Sequence, residues 1–304
     1  MTGEKNLTII IPAYNEADNL EIFLPHFIEY CSKNAWKIII VDDGSRDNTY
    51  NILKKYDSLE DFYIIRHKLN KGYGAAIKSG LSACTTEYAV TIDADGQHNL
   101  EDIDKLYHKI VTTDADMVVG SRKGIRSVSL SRGFAKSIIR SMAKILMAVP
   151  IYDINSGMKI YRTELAKKYL YLPPDTMAYS DIITLIFLNN RHLVLEEPIK
   201  IENRSIGKST INIQTAFQTM MEIINIVILF NPMKIFLPIS LLTLVITLVW
   251  GIPLIVERRV VSTGTLLGIV STLIFFFLGL IAEQLSQIRR NQVYRNSPED
   301  KSIS

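Results

Sequence analysis

The sequence predicts an α/β domain with a mainly parallel sheet covered by helices, followed by an interfacial helix and two transmembrane helices. Two observations lead to this prediction. Over the first part of the chain, short apolar runs alternate with amphipathic helical patterns, which is typical of βαβ units. After residue 230, two apolar runs without charged residues are each about 20 residues long, enough to cross the hydrocarbon core of a bilayer.

The predicted strands and helices of the first part alternate in order. Strands are expected at Leu7–Ile11, Lys37–Val41, Tyr63–Arg66, Tyr88–Ile92, Met117–Val119 and Met158–Tyr161. Helices are expected at Glu16–Cys31, Thr49–Tyr56, Gly74–Ala83 and Leu100–Val111. In open parallel sheets, ligands bind beyond the carboxyl ends of the strands. The polar residues that follow each strand are therefore the candidates for function.

The composition agrees with a protein that is partly embedded in a membrane. Hydrophobic residues make up 48% of the 304 residues, and the net charge is only +3. The hydrophobic content is high for a wholly soluble protein, and the small net charge argues against a nucleic acid as partner. Cys31 and Cys84 are not closely spaced, which predicts buried thiols in a reducing compartment rather than a disulfide or a metal pair.

The two apolar runs are Ile235–Val256 and Thr263–Ala282, and each is closed by a glutamate. Cations flank the outer ends of the pair at Arg204, Lys208, Lys234, Arg289, Arg290 and Arg295, whereas the connector has only Arg258 and Arg259. By the positive-inside rule, both termini are expected in the cytoplasm. The first residues lack the basic and apolar segments of a signal peptide, which also predicts a cytoplasmic catalytic domain.

A further apolar pattern, between residues 211 and 230, recurs at helical intervals and carries few charges, as expected of a helix in the membrane interface. A helix packed under the first domain is the alternative. The predicted organisation is a domain at 1–210, an interfacial helix at 211–232, a transmembrane hairpin at 233–284 and a cytoplasmic tail at 285–304. The sequence is compatible with a homo-oligomer.

Two carboxylates end the strand that begins at Tyr88. Asp93 and Asp95 are one residue apart, so they would point to the same face if the strand continued, and Gly96 allows a turn after them. Mg²⁺ or Mn²⁺ is commonly held by one or two carboxylates together with substrate phosphates. Gln97 and His98 are available as further partners. The alternative is an ordinary strand exit with solvated aspartates.

Polar motifs also follow the first three strands. They are Pro12-Ala13-Tyr14-Asn15-Glu16, Asp42-Asp43-Gly44-Ser45 with Asp47 and Thr49, and Asn70-Lys71-Gly72-Tyr73-Gly74. An aromatic ring, a carboxylate pair and glycines at one sheet edge are suited to stack and hydrogen-bond a nucleoside. The glycine motif alone is weak, because it matches neither a P-loop nor the dinucleotide fingerprint.

Together with Asp93-Ala94-Asp95-Gly96-Gln97-His98, these ordered motifs resemble the family 2 glycosyltransferases of the GT-A (Rossmann-like) fold. Within them, the chain is similar to the polyprenyl-phosphate sugar synthases, the group that contains dolichol-phosphate mannose synthase and undecaprenyl-phosphate glycosyltransferases. The motifs cover about the first 210 residues, and the paired apolar runs extend the resemblance.

The resemblance implies roles for individual residues. The positions that would hold the nucleoside and the donor are Pro12, Tyr14, Glu16, Asp42 or Asp43, Gly72 and Ala94. Those that would engage Mg²⁺ or Mn²⁺ and the donor diphosphate are Asp93, Asp95 and Gln97, with His98 beside them as a feature of the lipid-phosphate branch. Those that would bind the lipid phosphate are Arg122, Arg132, Arg204 and Lys208.

Some of these residues have simpler interpretations. Arg122 ends a strand at the ligand edge, and guanidinium groups bind phosphate bidentately, but juxtamembrane cations such as Lys208 also interact with anionic headgroups. Asp181 is a candidate acidic residue of the site, although Ser180 and Asp181 equally suit the N-terminus of a helix. Ser156 would line the sugar pocket or form a turn.

The activity implied is metal-dependent, inverting transfer of one sugar from a UDP- or GDP-linked donor to a polyprenyl phosphate. A phosphate monoester has a second pKa near 6, so the acceptor oxygen is anionic without a strong base. Two other functions remain as alternatives. A processive polysaccharide synthase would carry a Gln-x-x-Arg-Trp motif, which Trp36 and Trp250 do not form. A silent nucleotide-sugar-binding anchor would have lost the carboxylates that are present here.

Overall fold

The computed structural model describes residues 6–96, 99–122, 151–200, 228 and 231–295. The described residues fall into two compact units, one before residue 201 and one after residue 210. Side chains are described within these ranges except at 258 and 289–295.

The first unit is built around a seven-stranded sheet. Its strands are β1 (Leu7–Ala13), β2 (Lys37–Asp42), β3 (Phe62–Arg66), β4 (Tyr88–Thr91), β5 (Met117–Ser121), β6 (Lys159–Arg162) and β7 (Val194–Pro198). Its helices are α1 (Ala17–Lys33), α2 (Thr49–Lys54), α3 (Tyr73–Ala83), α4 (Leu100–Thr113), α5 (Thr163–Lys168) and α6 (Tyr179–Asn189).

The strand order is β3-β2-β1-β4-β6-β5-β7. Only β6 runs antiparallel to its neighbours β4 and β5, and the other adjacent strands are parallel. The predicted α/β fold with a mainly parallel sheet is therefore confirmed. The six predicted strands and four predicted helices are present, with ends that differ by at most two residues. The carboxyl ends of β1, β2, β3 and β4 meet at one edge, and the loops there carry the candidate motifs.

The core explains why these segments fold as they do. All seven residues of β1 are buried, which is typical of a central strand covered on both faces. In α1 the buried residues Leu20, Leu24, Phe27 and Cys31 recur at intervals of three and four, so one face of the helix lies on the sheet. In α4 the buried residues Ile103, Leu106 and Ile110 repeat the same spacing. Side chains from both helices join the sheet in one apolar cluster.

Strand β7 and helices α5 and α6 are not among the predicted elements, although the sequence suggested the N-terminus of a helix at Ser180 and Asp181. β7 pairs only with β5, so it is an edge strand, and it carries Glu196 and Glu197 in place of a continuous apolar run. Charged residues are common on edge strands because they discourage pairing with other chains. α5 has only six residues, too few for an apolar periodicity to be visible.

The second unit contains α7 (Met233–Arg258) and α8 (Thr263–Arg295). Within the described residues, these two helices are long and apolar enough to cross a membrane, with mean hydropathies of 2.5 and 2.4 over their apolar segments. The predicted pair of apolar helices is thus confirmed, and the remaining domain boundaries stay predictions. Many of their Leu, Ile and Val side chains are exposed, as expected of surfaces that face lipid.

Small residues bring α7 and α8 close together. A Cβ atom added at Gly268 would lie 2.1 Å from Thr247 Oγ1, and one at Gly251 would lie 2.5 Å from Thr265 Cγ2. The Ser240 hydroxyl donates a hydrogen bond to the carbonyl oxygen of Thr272 across the pair at 3.1 Å. Glycine and hydroxyl side chains at helix contacts are typical of packing inside membranes, where no hydrophobic effect drives association.

Candidate active site

The loops after β1 and β2 are locked to each other by hydrogen bonds. The backbone N–H groups of Glu16 and Ala17, at the start of α1, donate to Thr49 Oγ1 at 2.9 Å and to Asp47 Oδ2 at 3.2 Å. The N–H of Asn15 donates to Ser45 Oγ at 3.0 Å. The free N–H groups at the start of a helix need such partners. The second motif therefore caps the helix that follows the first.

This locking arranges the first motif in space. Pro12 is buried, Glu16 is half-buried, and the ring of Tyr14 is exposed. Asn15 has a φ of 54°, in the left-handed region, where asparagine is tolerated better than most residues. The backbone thus turns sharply after Tyr14 and leaves its ring accessible at the sheet edge.

Asp42 and Asp43 are both buried but have different partners. Asp43 accepts hydrogen bonds from the N–H of Lys71 at 2.9 Å and of Gly72 at 2.8 Å, and its Oδ1 lies 2.6 Å from His67 Nδ1. Asp43 therefore holds the loop after β3. Asp42 accepts from the N–H of Ser45 through Oδ1. Its Oδ2 has no well-aligned hydrogen bond within the described residues.

Arg66 lies close to that second oxygen of Asp42 but does not donate a hydrogen bond to it. The Nε atom of Arg66 lies 3.2 Å from Asp42 Oδ2, yet the angle does not make a hydrogen bond. The Arg66 guanidinium is held over the ring of Tyr50, 4.0 Å from its centroid. A buried acceptor without a good donor is costly, so Asp42 Oδ2 is suited to receive a donor from a ligand.

Gly72 and Gly74 are required by the close approach of another loop. Gly72 has a φ of 103°, and a Cβ atom there would lie 2.3 Å from the carbonyl oxygen of Asp175. The N–H of Gly74 donates to that same oxygen at 2.9 Å. The loop before α6 thus closes onto the start of α3, and side chains at these two positions would push it away.

The acidic pair follows β4 in a turn. The strand ends at Thr91, and residues 94 and 95 form a turn, so the expectation based on a continued strand does not apply. Asp93 and Asp95 are half-buried, and Ala94 between them is buried. Gly96 has a φ of 68°, and no described residue lies within 4 Å of a Cβ atom added there, so the described residues leave space beside the turn.

Asp93 is held by contacts from two other segments. The hydroxyl of Tyr73, the first residue of α3, donates to Asp93 Oδ1 at 2.9 Å. On the other side, a Cβ atom added at Gly157 would lie 2.3 Å from Asp93 Oδ2. The loop before β6 therefore lies directly against this carboxylate. The loop is itself tied to β4, because Thr91 Oγ1 donates to the carbonyl oxygen of Gly157 at 2.9 Å.

Arg122 makes a bidentate ion pair with Asp153 beside the same loop. Its Nε lies 2.6 Å from Oδ2 and its Nη2 lies 2.7 Å from Oδ1, while its backbone N–H also donates to Oδ2. Burial acts to raise the pKa of Asp153, but the hydrogen bonds and charge of Arg122 outweigh it and hold the pKa below its usual value. The side chain of Arg122 is 42% exposed. Part of the guanidinium is therefore accessible to an anion.

Two residues with open interpretations have defined local roles. The Ser156 hydroxyl is buried and lies 3.3 Å from both the N and the O of Met158, which is a turn contact. Asp181 lies in the first turn of α6, where the helix dipole favours a carboxylate. The N-cap of α6 is Ala178, without a side-chain hydrogen bond. Ser180 and Asp181 therefore lie at the N-terminus of a helix, as the sequence indicated, but neither occupies the N-cap position.

Most of the described candidates lie at the carboxyl ends of β1 to β5 or on the loops that follow, whereas Asp181 lies in the first turn of α6. Gln97, His98, Arg132, Arg204 and Lys208 lie outside the described residues. Sequence reasoning missed Tyr73 and Gly157 as neighbours of Asp93, and it missed Lys159. No local signal would have found them, because each belongs to a segment that reads as an ordinary helix start, turn or strand.

Comparison with known proteins identifies the class. The mainly parallel sheet and the acidic turn after β4 are compatible with a glycosyltransferase of the GT-A type, and the family comparison shows this class. Residues 8–170 match the family described as Glycosyl transferase family 2, and residues 231–288 match the GtrB C-terminal hairpin. The chain belongs to glycosyl transferase family 2.

The relatives match different shares of this chain. Protein MJ0544 of Methanocaldococcus jannaschii is 30% identical over 232 residues, which are 72% of this chain and 98% of that protein. The dolichyl-phosphate beta-glucosyltransferase of Dictyostelium discoideum is 29% identical, over 53% of this chain and 55% of that protein. An undecaprenyl-phosphate 4-deoxy-4-formamido-L-arabinose transferase of Yersinia pestis is 32% identical, over 55% and 52%. The match thus spans about half the length of these two transferases.

Solved structures support the fold. The glucosyl-3-phosphoglycerate synthase of Mycobacterium tuberculosis, crystallised with Mn²⁺, UDP-glucose and phosphoglyceric acid, has a TM-score of 0.54 and 17% identity, over 73% of this chain and 80% of that one. TarS of S. aureus has a TM-score of 0.53 and 20% identity, over 74% and 65%.

Replacing Tyr73 by phenylalanine tests the support of Asp93. The hydrogen bond that Tyr73 donates to this carboxylate is lost while the ring remains, so we expect transfer to fall about tenfold, the usual weight of a bond to a charged group. Initial rates at saturating donor measure it. Tyr56→Phe is the control, because the ring of Tyr56 packs on Phe62. Equal rates for Tyr73→Phe and wild type would contradict the role.

Proposed function

We propose that this glycosyltransferase transfers one sugar from a UDP- or GDP-linked donor to a polyprenyl phosphate in the membrane, with a divalent metal ion and inversion at the anomeric carbon. The observation that carries the proposal is the acidic turn at Asp93 and Asp95, at the ligand edge of a catalytic unit whose chain also contains an apolar hairpin. The names of the dolichyl- and undecaprenyl-phosphate relatives support the acceptor class.

The nucleoside end of the donor fits the loops after β1 and β2. The exposed ring of Tyr14 offers a stacking surface, and Asp42 Oδ2 offers a buried acceptor for an N–H or a hydroxyl group. The oxygens of Asp43 already accept bonds from Lys71, Gly72 and His67. We therefore assign the direct contact to Asp42 and the shaping of the loop to Asp43.

The diphosphate end fits the turn at residues 93–96. In the described part of the chain, no cluster of three or more His, Cys, Asp or Glu side chains would hold a metal by itself. Two half-buried carboxylates in one turn, with space beside Gly96 among the described residues, match Mg²⁺ or Mn²⁺, which keep few protein ligands and take substrate phosphates as well. When bound, the ion supplies positive charge to the leaving diphosphate. Asp93 and Asp95, with Gln97, are the residues that would hold it.

The site for the acceptor is inferred from the negative charge of the lipid phosphate and the positive charges of nearby side chains. A lipid phosphate oxygen is anionic at neutral pH, so it attacks the anomeric carbon without losing a proton to a base. The new bond forms from that oxygen to carbon, and the bond to the donor diphosphate breaks with its electron pair. The accessible part of Arg122 is suited to hold the acceptor phosphate. We assign Arg132, Arg204 and Lys208 to the same anion.

The membrane arrangement completes the proposal. We propose a catalytic domain at 1–210, an interfacial helix at 211–232, a hairpin at 233–284 and a tail at 285–304, with both termini in the cytoplasm. The cation distribution around the apolar runs supports this orientation. Labelling of single cysteines placed in the tail and in the connector, in sealed vesicles, tests it. A connector cysteine that is labelled from the cytoplasmic side would contradict it.

The activity is tested with the full-length protein in nanodiscs. Radiolabelled UDP- and GDP-sugars are incubated with Mn²⁺ and a short polyprenyl phosphate, and the products are separated as lipids. We expect an anionic glycolipid with a single sugar, made from one donor class and lost on addition of EDTA. A growing polymer would favour a processive synthase. Donor binding without any product would favour a nucleotide-sugar-binding anchor.

A further inference from the structure

Lys159 is completely buried next to the strand that leads to the acidic pair. It is the first residue of β6, opposite Thr91 of β4 and Val119 of β5, and none of its surface is exposed. Lysine is almost never fully buried unless its polar end is paired. The roles assigned so far do not account for it.

The amine of Lys159 joins two segments of the site. Nζ donates a hydrogen bond to the carbonyl oxygen of Ile154 at 2.7 Å and another to that of Ser180. Ile154 lies in the loop that carries Asp153 and Gly157, and Ser180 directly precedes Asp181 in the first turn of α6. An ammonium has three N–H donors and a neutral amine has two, so both bonds exist in either protonation state.

The charges around Lys159 belong to the candidate site. Burial lowers the pKa of Lys159 to about 7, while the negative charges of Asp181 and Asp153, and then that of Asp93, act in the opposite direction. The positive charge of Arg122 acts together with burial. The amine is thus placed among the groups that border the sugar end of the site, and Asp181 has the largest charge interaction with it.

We propose that Lys159 is a positioning residue, which fixes the Asp153–Gly157 loop and the start of α6 relative to β4 and thereby holds Asp181 at the site. This inference rests on the proposed function, because Asp181 then accepts hydrogen bonds from hydroxyl groups of the transferred sugar. Lys159 itself touches neither substrate. It acts through the two carbonyl groups, and its length and its N–H donors are the properties that matter.

Lys159→Met, which keeps an unbranched side chain one heavy atom shorter and removes the donors, is compared with Lys159→Arg, which keeps donors. Thr184→Val is the matched control, because Thr184 Oγ1 donates to the same Ser180 carbonyl at 3.0 Å. In full-length protein, we expect Lys159→Met to lower kcat about 50-fold, Lys159→Arg to recover at least about fivefold of that loss, and Thr184→Val to stay within about threefold of wild type. Calorimetric binding of UDP or GDP with Mn²⁺ should change less than about threefold in all three variants, since the hydrogen bonds of Lys159 go to Ile154 and Ser180 and not to the loops after β1 and β2.

A double-mutant cycle with Asp181→Asn tests the coupling. If Lys159 acts through Asp181, the double variant Lys159→Met/Asp181→Asn loses no more than about threefold beyond the slower single variant. If the loss of kcat in the double variant equals the product of the losses in the two single variants, the inference is overturned. A Lys159→Met protein with the wild-type kcat would overturn it as well. If Lys159→Met does not fold, as judged by its thermal transition, the cycle is run with Lys159→Leu, which also removes the N–H donors, and its result is interpreted by the same criteria. A wild-type protein that makes no glycolipid overturns the proposed function, whereas an active wild type with an equally active Lys159→Met overturns this inference alone.

Discussion

Asp95→Ala is expected to reduce sugar transfer about 1,000-fold or more while the protein stays folded and bound to the membrane. Asp95 lies half-buried in the turn after β4, and its carboxylate is one of the two that would hold the metal ion. Neutralising charge on a leaving group contributes several kcal/mol to a reaction of this kind, and each 1.4 kcal/mol is about a factor of ten in rate. Glycolipid formation at saturating donor and acceptor measures the loss.

The control for this variant is Asp57→Ala, because Asp57 is an exposed aspartate after α2. Its transfer rate should equal that of wild type. The thermal transition of Asp95→Ala in detergent should match wild type as well, since Asp95 is half-buried in a turn and not part of the apolar core. An Asp95→Ala protein that keeps full activity would remove Asp95 from the metal site, and one that unfolds would make the turn structural.

Gly157→Ala is expected to lower transfer about 100-fold by moving Asp93. The added methyl group would lie 2.3 Å from Asp93 Oδ2 and 2.7 Å from its Cγ, far inside contact distance. Asp93 has a short side chain that Tyr73 holds on the opposite oxygen, so the carboxylate must leave its position. A displacement of about 1 Å in a catalytic group costs on the order of 100-fold. The backbone of Gly157 does not have a positive φ, so alanine causes no backbone strain there.

The Mn²⁺ dependence of the transfer rate distinguishes a displaced Asp93 in Gly157→Ala from a general loss of structure. We expect the Mn²⁺ concentration for half-maximal rate to rise and high Mn²⁺ to restore part of the activity. Gly264→Ala is the matched control, because the nearest atom to a Cβ there is Ser262 Oγ at 3.8 Å, an ordinary contact. A Gly157→Ala protein with the wild-type rate and Mn²⁺ dependence would show that Asp93 tolerates the methyl group, and would argue against its role as a ligand.

Most of the fold was predictable because it depends on local patterns. Apolar runs such as β1 and the spacing of buried residues in α1 are read from neighbouring positions in the sequence. β7 was missed because its two glutamates interrupt the apolar pattern at the edge of the sheet. The antiparallel placement of β6 between β4 and β5 was not predicted either, since strand order depends on contacts between distant segments.

The sequence by itself determined the α/β class, the acidic turn, the ordered loop motifs and the two apolar helices, because each depends on contiguous residues and their periodicity. Only the tertiary structure decided which N–H groups donate hydrogen bonds to Asp43 and that Arg122 pairs with Asp153. It also decided that Gly157 lies against Asp93 and that Lys159 donates hydrogen bonds to two carbonyl groups. These contacts join segments far apart in the chain. Their partners are fixed by strand order and register, which no local pattern contains.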